Sequence, residues 1–277
     1  MTTAQQLAPG LWRVPLETRT MPPYSHTNSY LVASRGVAAI VDPAGSDNAV
    51  TILERLARQA GVTLVKAVLL THTHADHVSG LTAVLEKFER PELYGHPLEL
   101  NRLDGVRATA LTHRRNLTVG DHLVTALHTP GHSPGSLSFH LPAARAVLVG
   151  DLIAGDSSSW VGWPDGDVAD YLASLQLIAG LAVELIGPGH GAPVEQPQAK
   201  LAEARAHRLA REGQVIAELK RNQHTLSDLR KAIYSDVGEE VRDLAERSLL
   251  AHLKKLMNEM RVVHLGDDEQ GPYALRS

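Results

Sequence analysis

The stretch THTHADHVSG, residues 71–80, holds four side chains that can bind metal within six positions: His72, His74, Asp76 and His77. It follows LVKAVLL, an apolar run typical of a buried strand. Two residues apart in an extended segment, His72 and His74 point to the same side. Imidazoles and carboxylates are ligands of zinc and its first-row neighbours. The stretch therefore predicts a metal site where a strand ends.

Three more side chains of the same kind follow in Gly- and Pro-rich turns or just after apolar runs. They are His132 in PGHSPGS, Asp151 after AVLVG, and His190 in GPGHG. Seven ligands exceed the needs of one tetrahedral ion, so the sequence predicts two metal ions. His72, His74 and His132 can hold one of them. The second can be held by Asp76, His77 and His190, with Asp151 as a bridge between the two ions.

Two neighbouring dications lower the pKa of a shared water, so that hydroxide forms near neutral pH. Asp76 could bind metal and also orient that hydroxide or accept its proton, which makes it the candidate catalytic residue. The predicted reaction is hydrolysis of an ester, thioester, amide or phosphodiester. Taken alone, Asp151 and His190 could also be ordinary turn residues. His128, four positions before His132, is expected to pack or hydrogen-bond on its strand rather than bind metal.

The composition excludes several other classes of protein. The 277 residues include no cysteine, which rules out disulfides, cysteine metal ligands and a thiol nucleophile. The net charge of −4 is not typical of a nucleic-acid-binding protein, although local basic strips remain compatible with it. No segment approaches the roughly 18 uninterrupted apolar residues of a membrane span, and no secretory signal precedes the first predicted strand. We therefore expect a cytoplasmic protein without membrane contact.

The first two thirds of the chain alternate strands and helices. Strands are predicted in residues 11–42, 64–70, 123–127, 136–140 and 146–149, and helices in residues 48–60, 78–90 and 168–181. Two halves with strands followed by helices predict an α/β fold, an αββα sandwich of two facing sheets with helices outside. This hydrolase domain is expected to cover residues 1–196.

After PVEQP, residues 193–197, the chain becomes charged and helical. Helices are predicted in residues 200–222, 225–233 and 240–260, followed by two strand-like runs around GDDEQG. Three helices with a terminal hairpin predict a winged helix in residues 197–277. From residue 200 onward, 14 Lys and Arg oppose 13 Asp and Glu. This balance favours substrate positioning or dimer formation over sequence-specific DNA recognition, which normally requires excess positive charge.

The seven candidate ligands, in order, resemble the metal-binding pattern of the metallo-β-lactamase superfamily across roughly residues 10–195. The resemblance implies an αββα sandwich with a two-metal site at one edge and Asp151 as the bridging ligand. AHRLAREGQVIAEL from Ala206 and LLAHLKKLMNEMRV from Leu249 are similar to the winged-helix extension of one branch. That branch includes a mitochondrial endoribonuclease and fungal acyl-carrier-protein thioesterases.

Three functional hypotheses follow. The first is an endoribonuclease in which a dimetal-bound hydroxide cleaves single-stranded RNA. The second is a hydrolase of thioesters or small esters, similar to glyoxalase II or to the acyl-carrier-protein thioesterases. The third, a regulator whose metal domain only senses a ligand, is disfavoured because a sensor needs no shared nucleophilic water. Two Zn²⁺ ions are the expected cofactors, with iron or manganese as alternatives. The expected partner is single-stranded RNA or a small thioester, and a homodimer is compatible with the sequence.

Overall fold

The computed structural model describes residues 4–235, 238 and 241–276. The chain forms two compact units. The first consists of Met1–Thr129, Gly135–Ser157 and Gly180–Pro197. The second combines Pro130–Pro134 and Ser158–Ala179 with Gln198–Ser277. The predicted boundary between residues 196 and 197 remains a prediction.

A seven-stranded sheet forms the larger part of the first unit, with its strands in chain order. Strands β1 to β4 pair antiparallel, whereas β4 to β7 pair parallel. Their bounds are β1 Gln5–Ala8, β2 Leu11–Glu17, β3 His26–Ser34, β4 Val37–Val41, β5 Leu64–Leu69, β6 Glu92–Gly95 and β7 Thr109–Ala110. The strands predicted in residues 11–42 and 64–70 are confirmed.

The second sheet of this unit has five strands in the order β12-β11-β10-β9-β8. Its strands are β8 Arg115–Val119, β9 His122–His128, β10 Leu137–Leu141, β11 Ala146–Gly150 and β12 Leu185–Pro188. Strands β11 and β12 pair parallel, and the other neighbours pair antiparallel. The two sheets share one core, in which Val41 and Leu69 of the first sheet pack with Phe139 and Leu148 of the second. Burial of these apolar faces is the main driving force that holds the sheets together.

Among the described residues, four α-helices belong to the first unit: α1 Asp47–Gln59, α2 Ala75–Val78, α3 Leu81–Lys87 and α4 Pro97–Leu100. Leu53 of α1 and Val84 of α3 pack against Ile40 and Val68 on the outer face of the first sheet. The prediction of one helix over residues 78–90 was wrong. The helix is interrupted at Gly80, whose amide donates to Pro43 O at 2.9 Å. A Cβ at Gly80 would lie 2.8 Å from Ala44 O, so this close approach requires glycine.

The second unit contains α5 Val168–Ala179, α6 Pro197–Arg221, α7 Leu226–Ile233, α8 Arg242–Asn258, β13 Val262–His264 and β14 Tyr273–Leu275. The three C-terminal helices and the β13–β14 hairpin enclose a core of residues such as Val215, Leu229, Leu253 and Tyr273. The predicted winged helix is therefore confirmed. The expected start of its last helix at Glu240 lies outside the described residues. Among the helices that the structure describes, none has the length and apolarity needed to cross a bilayer.

Candidate metal centre

The candidate centre lies where two pairs of parallel strands end. Strands β4 and β5 lead to Asp42 and to the histidine loop that begins at His72. In the other sheet, β11 and β12 lead to Asp151 and His190. The amide of Gly189 donates to Gly150 O at 2.7 Å, which fixes the ends of β11 and β12 beside each other. Carboxyl ends of parallel strands meet at one edge of a sheet, a common position for ligand sites.

Six of the seven predicted ligands belong to the first unit, and the structure brings them together. His77 Nε2 lies 3.2 Å from Asp151 Oδ1, and His190 Nε2 lies 3.4 Å from Asp151 Oδ2. His190 Nε2 is also 3.3 Å from Asp76 Oδ2. Two sets of three residues each offer ligand atoms within 4.8 Å of one another: His72, His77 and Asp151, and Asp76, His77 and His190.

His72 and His74 approach each other as the spacing of the motif predicts. Their atoms Nε2 and Nδ1 lie 3.1 Å apart, and the two rings meet edge to face. His72 is fully buried, whereas His74, at the start of α2, is partly exposed. Both imidazoles therefore border the same small space, one from the interior and one from the surface.

His132 lies on the Pro130–Pro134 segment, which belongs to the second unit. Its Nδ1 is 2.8 Å from the carbonyl oxygen of Trp160 in the same unit. The ring is therefore held through Nδ1, which leaves Nε2 as the nitrogen that could bind a metal. Its assignment as the third ligand of the first ion remains a prediction.

The hydrogen bonds of the buried imidazoles fit metal ligands. His190 Nδ1 donates to His26 O at 2.9 Å, and His77 Nδ1 donates to Asp42 Oδ2 at 2.9 Å. His72 Nδ1 lies 3.0 Å from Thr71 Oγ1, which itself donates to Asp42 Oδ2 and so accepts from the ring. The buried His77 Nε2 lies 3.2 Å from Asp151 Oδ1 without the geometry of a hydrogen bond, and in the described part of the chain it makes none to any other group. An imidazole held through one nitrogen with the other left for coordination is typical of metal sites.

Opposite charges in the centre stabilise each other despite burial. Burial opposes the charged form of His190, but Asp151 and Asp76 outweigh it and raise its pKa to about 10. His77 behaves in the same way: burial lowers its pKa, and the Asp151 and Asp42 carboxylates raise it well above the usual value. Burial raises the pKa of Asp151, but the His77 and His190 imidazoles hold it well below its ordinary value. These carboxylates favour positive charge at the centre, as a cation site requires.

Two acidic residues that sequence reasoning missed support the loop around His72. Asp42 accepts from Thr71 N at 2.7 Å, in addition to Thr71 Oγ1 and His77. Glu99, which is fully buried, accepts from Thr73 N at 3.0 Å and from Gly135 N at 3.1 Å. The only signal for Asp42 was its position after a strand that turned out to be the parallel neighbour of β5. Glu99 carried no local signal.

A cavity of about 770 Å³ opens beside His190 in the first unit. Its lining is mostly polar and includes Arg13, Glu17, His26 and Asp156. Tyr24, also in the lining, stacks on the His190 ring with centroids 5.4 Å apart. The candidate centre is therefore next to a space that can take a hydrophilic molecule.

Two facing sheets with histidines and aspartates at their strand ends, followed by a winged helix, define a metallo-β-lactamase α/β sandwich of the hydrolase class. Residues 23–190 match the model of the Metallo-beta-lactamase superfamily, and the chain belongs to this family. Residues 225–271 match the Beta-lactamase associated winged helix domain. The resemblance inferred from the sequence is confirmed for the fold and for both domains.

Similar proteins cover most of the chain. A Beta-lactamase-like protein 2 homolog of Caenorhabditis elegans is 28% identical over 83% of this chain and 78% of its own length. An Atrochrysone carboxyl ACP thioesterase of Passalora fulva is 28% identical over 93% of this chain and 78% of its own length. The crystal structure of a metallo-beta-lactamase family protein from Thermus thermophilus has a TM-score of 0.80 at 26% identity. The match covers 98% of this chain and 100% of the Thermus thermophilus protein.

Proposed function

We propose that the protein is a hydrolase with two divalent metal ions that cleaves phosphodiester bonds in single-stranded RNA. One observation supports the presence of two metal ions: the two carboxylate oxygens of Asp151 lie next to different imidazoles, those of His77 and His190. A carboxylate placed in this way can bridge two ions, each with its own set of ligands. Membership of the superfamily supports a metal-dependent hydrolase.

In this proposal His72, His74 and His132 would hold the first ion. Asp76, His77 and His190 would hold the second, and Asp151 would be shared between the two sets. Zn²⁺ is the proposed metal because every ligand is an imidazole or a carboxylate, although such ligands also bind iron and manganese. When bound, two such ions activate water at neutral pH and stabilise the charge that develops on the scissile group.

Asp76 is the proposed catalytic residue of the chain. Its Oδ2 accepts from Thr27 Oγ1 at 3.2 Å and lies 3.3 Å from His190 Nε2. Burial raises the pKa of Asp76, but contact with His190 and the charge of His77 lower it below the ordinary value. The side chain is therefore a carboxylate at neutral pH. In that form it can orient the attacking water and accept a proton at one of its oxygens.

The polar cavity beside His190 supports a hydrophilic substrate. Its lining includes charged groups of both signs, Arg13, Glu17 and Asp156, rather than an apolar wall suited to a long acyl chain. The second candidate is a thioester hydrolase, supported by the printed activity of the Passalora fulva relative. Both reactions use an activated water, and they differ in whether the water attacks phosphorus or a carbonyl carbon.

The two candidates are separated by incubating the metal-loaded protein with a labelled single-stranded RNA and, in parallel, with an acyl thioester. Asp76→Ala should remove the activity, whereas Asp121→Ala, a matched change at an exposed carboxylate, should leave it unchanged. RNA cleavage that persists in Asp76→Ala would indicate a contaminating nuclease. Thioester hydrolysis without RNA cleavage would reject the endoribonuclease and support the second candidate.

The metal is identified by elemental analysis of protein purified without added metal. About two zinc ions per chain are expected from the number of candidate ligands. Iron or manganese in place of zinc would revise the metal and keep the ligands. Protein that acquires no metal in buffers supplied with zinc, iron or manganese would contradict the proposed centre.

A further inference from the structure

A positively charged segment lies in the first unit, apart from the metal ligands. Residues 96–115 contain four arginines and two histidines against one aspartate and one glutamate, in a chain whose net charge is −4. The glutamate is the buried Glu99, so it is not part of the surface. The arginines are all exposed: Arg102, Arg107, Arg114 and Arg115. The segment therefore presents a local excess of positive charge that the overall composition hides.

Two histidines of this region form a stacked pair. The rings of His96 and His128 are nearly parallel, at 7°, with centroids 4.2 Å apart. His113 lies beside them, because its Nδ1 accepts the backbone N–H of His128 at 3.2 Å. Burial, and then the neighbouring His128, lower the pKa of His96 below its usual value. Partly exposed rings beside arginines form a platform of the type on which unpaired bases stack.

This platform is connected to the candidate metal centre. His96 is the N-cap of α4, the helix that carries Glu99. The Glu99 carboxylate binds Thr73, which stands between the candidate ligands His72 and His74. The platform and the loop of the centre are therefore joined through helix α4.

We propose that His96, His113, Arg114 and His128, flanked by Arg115, form the surface that binds single-stranded RNA next to the cleaved bond. This stacking surface rests on the proposed function and specifies how the substrate is held. Arginine contacts phosphates, and the imidazole pair stacks on unpaired bases. The winged-helix region, with 14 basic and 13 acidic residues from residue 200 onward, lacks a comparable excess of positive charge.

An acidic carrier protein would also be attracted by exposed arginines. Stacking, however, distinguishes RNA from a carrier protein, because a carrier protein offers carboxylates or phosphates and no unpaired bases. Aromatic rings of this kind add affinity for unpaired bases, which can stack on them. The stacked pair therefore favours RNA, and carrier-protein binding becomes an outcome of the test.

The test measures binding of a fluorescent single-stranded 2′-O-methyl RNA, which resists cleavage, to the metal-loaded protein by anisotropy over a range of salt concentrations. One variant, Arg114→Asn with Arg115→Gln, removes the charges; asparagine tolerates the positive φ of 62° at position 114. A second, His96→Asn with His128→Thr, removes both rings and keeps an acceptor for Leu98 N. The matched control, Arg55→Gln with Arg205→Gln, removes two exposed arginines elsewhere.

The two variants should weaken binding in different ways. Loss of the two arginines should raise Kd about tenfold and reduce the slope of log K against log salt by about 1.4, as for two phosphate contacts on a single strand. Loss of the rings should raise Kd about tenfold and leave the slope unchanged. The control should stay within about twofold of the wild type, since no contact to RNA is expected there.

Three outcomes decide the proposal. Wild-type Kd and slope in both variants would overturn it, whatever the enzyme hydrolyses. Loss of turnover of an acyl carrier protein thioester with unchanged RNA affinity would also overturn it and assign the surface to a protein partner. Weaker RNA binding in both variants, with the control unchanged, would support it. The absence of RNA cleavage by the wild type would instead reject the proposed function. The binding measurement does not depend on cleavage, so the two failures can be told apart.

Discussion

Asp42 links the first sheet to the candidate metal centre through a single side chain. Its carboxylate accepts hydrogen bonds from Thr71 N, Thr71 Oγ1 and His77 Nδ1. The residue is 2% exposed and has a positive φ of 49°, a conformation that aspartate and asparagine adopt more readily than most residues. Because His77 Nδ1 is held in this way, the other ring nitrogen, Nε2, lies 3.2 Å from Asp151 Oδ1.

Asp42→Asn should weaken metal binding by about 10–100-fold, the usual cost of losing a carboxylate that orients a metal-binding imidazole. Asparagine preserves the size of the side chain and tolerates the backbone conformation, so the fold should be retained. The affinity for zinc can be measured by competition with a chromophoric chelator, with circular dichroism as the check on folding. Asp121→Asn provides the exposed control, and equal zinc affinity in the two variants would refute this role of Asp42.

Gly189→Ala should disrupt the centre from the other sheet. The added Cβ would lie 2.2 Å from Asp151 Oδ1 and 2.8 Å from His77 Cε1, so one of these side chains must move. A displacement of about 1 Å can reduce turnover about 100-fold, and we expect at least that loss together with reduced metal content. Gly213→Ala in α6 is the matched control, since the new methyl group meets no atom within 4 Å. The control should gain about 0.5–1 kcal/mol of stability with unchanged metal content. Equal metal content in both variants would contradict the prediction.

The sequence predicted residues whose signal is local and missed those whose role depends on distant contacts. His72, His74, Asp76 and His77 lie within one short motif, so their spacing alone pointed to metal. Asp42, in contrast, meets His77 across 35 positions of the chain, and Glu99 meets Thr73 across 26. Only the pairing of β4 with β5 and the packing of α4 bring these carboxylates to the loop, and no short motif encodes either.

Secondary structure elements followed the apolar pattern except where a backbone contact intervened. The pattern after the histidine motif is continuous and predicts one helix. The structure instead ends α2 at Val78 and begins α3 at Leu81, because Gly80 lies directly against the backbone of Pro43 and Ala44. Strands β6 and β8 were also missed. Both strands are short, and their composition alone does not indicate a strand. They are recognised by their pairing in the structure, β6 with β5 and β8 with β9.

Helix α8 contains a buried histidine that should make stability depend on pH. His252 is 0% exposed, and neither of its ring nitrogens has a hydrogen-bond partner among the described residues. Burial, followed by the cations Arg208 and Arg211, lowers its pKa from 6.5 to about 3. The unfolded chain therefore takes up the proton first as the pH falls. This contribution to stability is complete above the unfolded pKa of 6.5 and is lost progressively between there and about 3.

His252→Leu should remove this acid sensitivity. One pKa unit corresponds to about 1.4 kcal/mol, so between about pH 7.5 and about pH 5 the wild type should lose about 2 kcal/mol more than the variant. Urea unfolding at both pH values gives the comparison, and the shared metal centre cancels in the difference. A wild type and a variant whose unfolding free energies fall in parallel would show that His252 is not the titrating group.

At the level of the whole molecule, the sequence predicted both the sandwich and the winged helix, whereas the grouping of residues into compact units depends on long-range contacts. The residues between Asp151 and His190 were assigned to the hydrolase domain by their position in the chain. In the structure, Ser158–Ala179 clusters with the C-terminal helices. Trp160 Nε1 donates to Leu244 O at 3.1 Å, and Trp163 N donates to Arg247 O at 3.0 Å. Such contacts join segments about 84 positions apart, beyond the reach of a periodic pattern.

A fragment that ends at Gln196 should therefore be less stable than the full chain, even though it contains all seven candidate ligands. Without the C-terminal helices, Trp160 and Trp163 lose these partners, and the Ser159 carbonyl loses the Arg208 guanidinium. His132, whose Nδ1 bonds to Trp160 O, would then lose its support, and we expect the fragment to retain fewer metal ions per chain. Thermal unfolding and elemental analysis of the two proteins, purified in parallel, provide the comparison. A fragment with the Tm and metal content of the full chain would show instead that residues 1–196 form an autonomous domain.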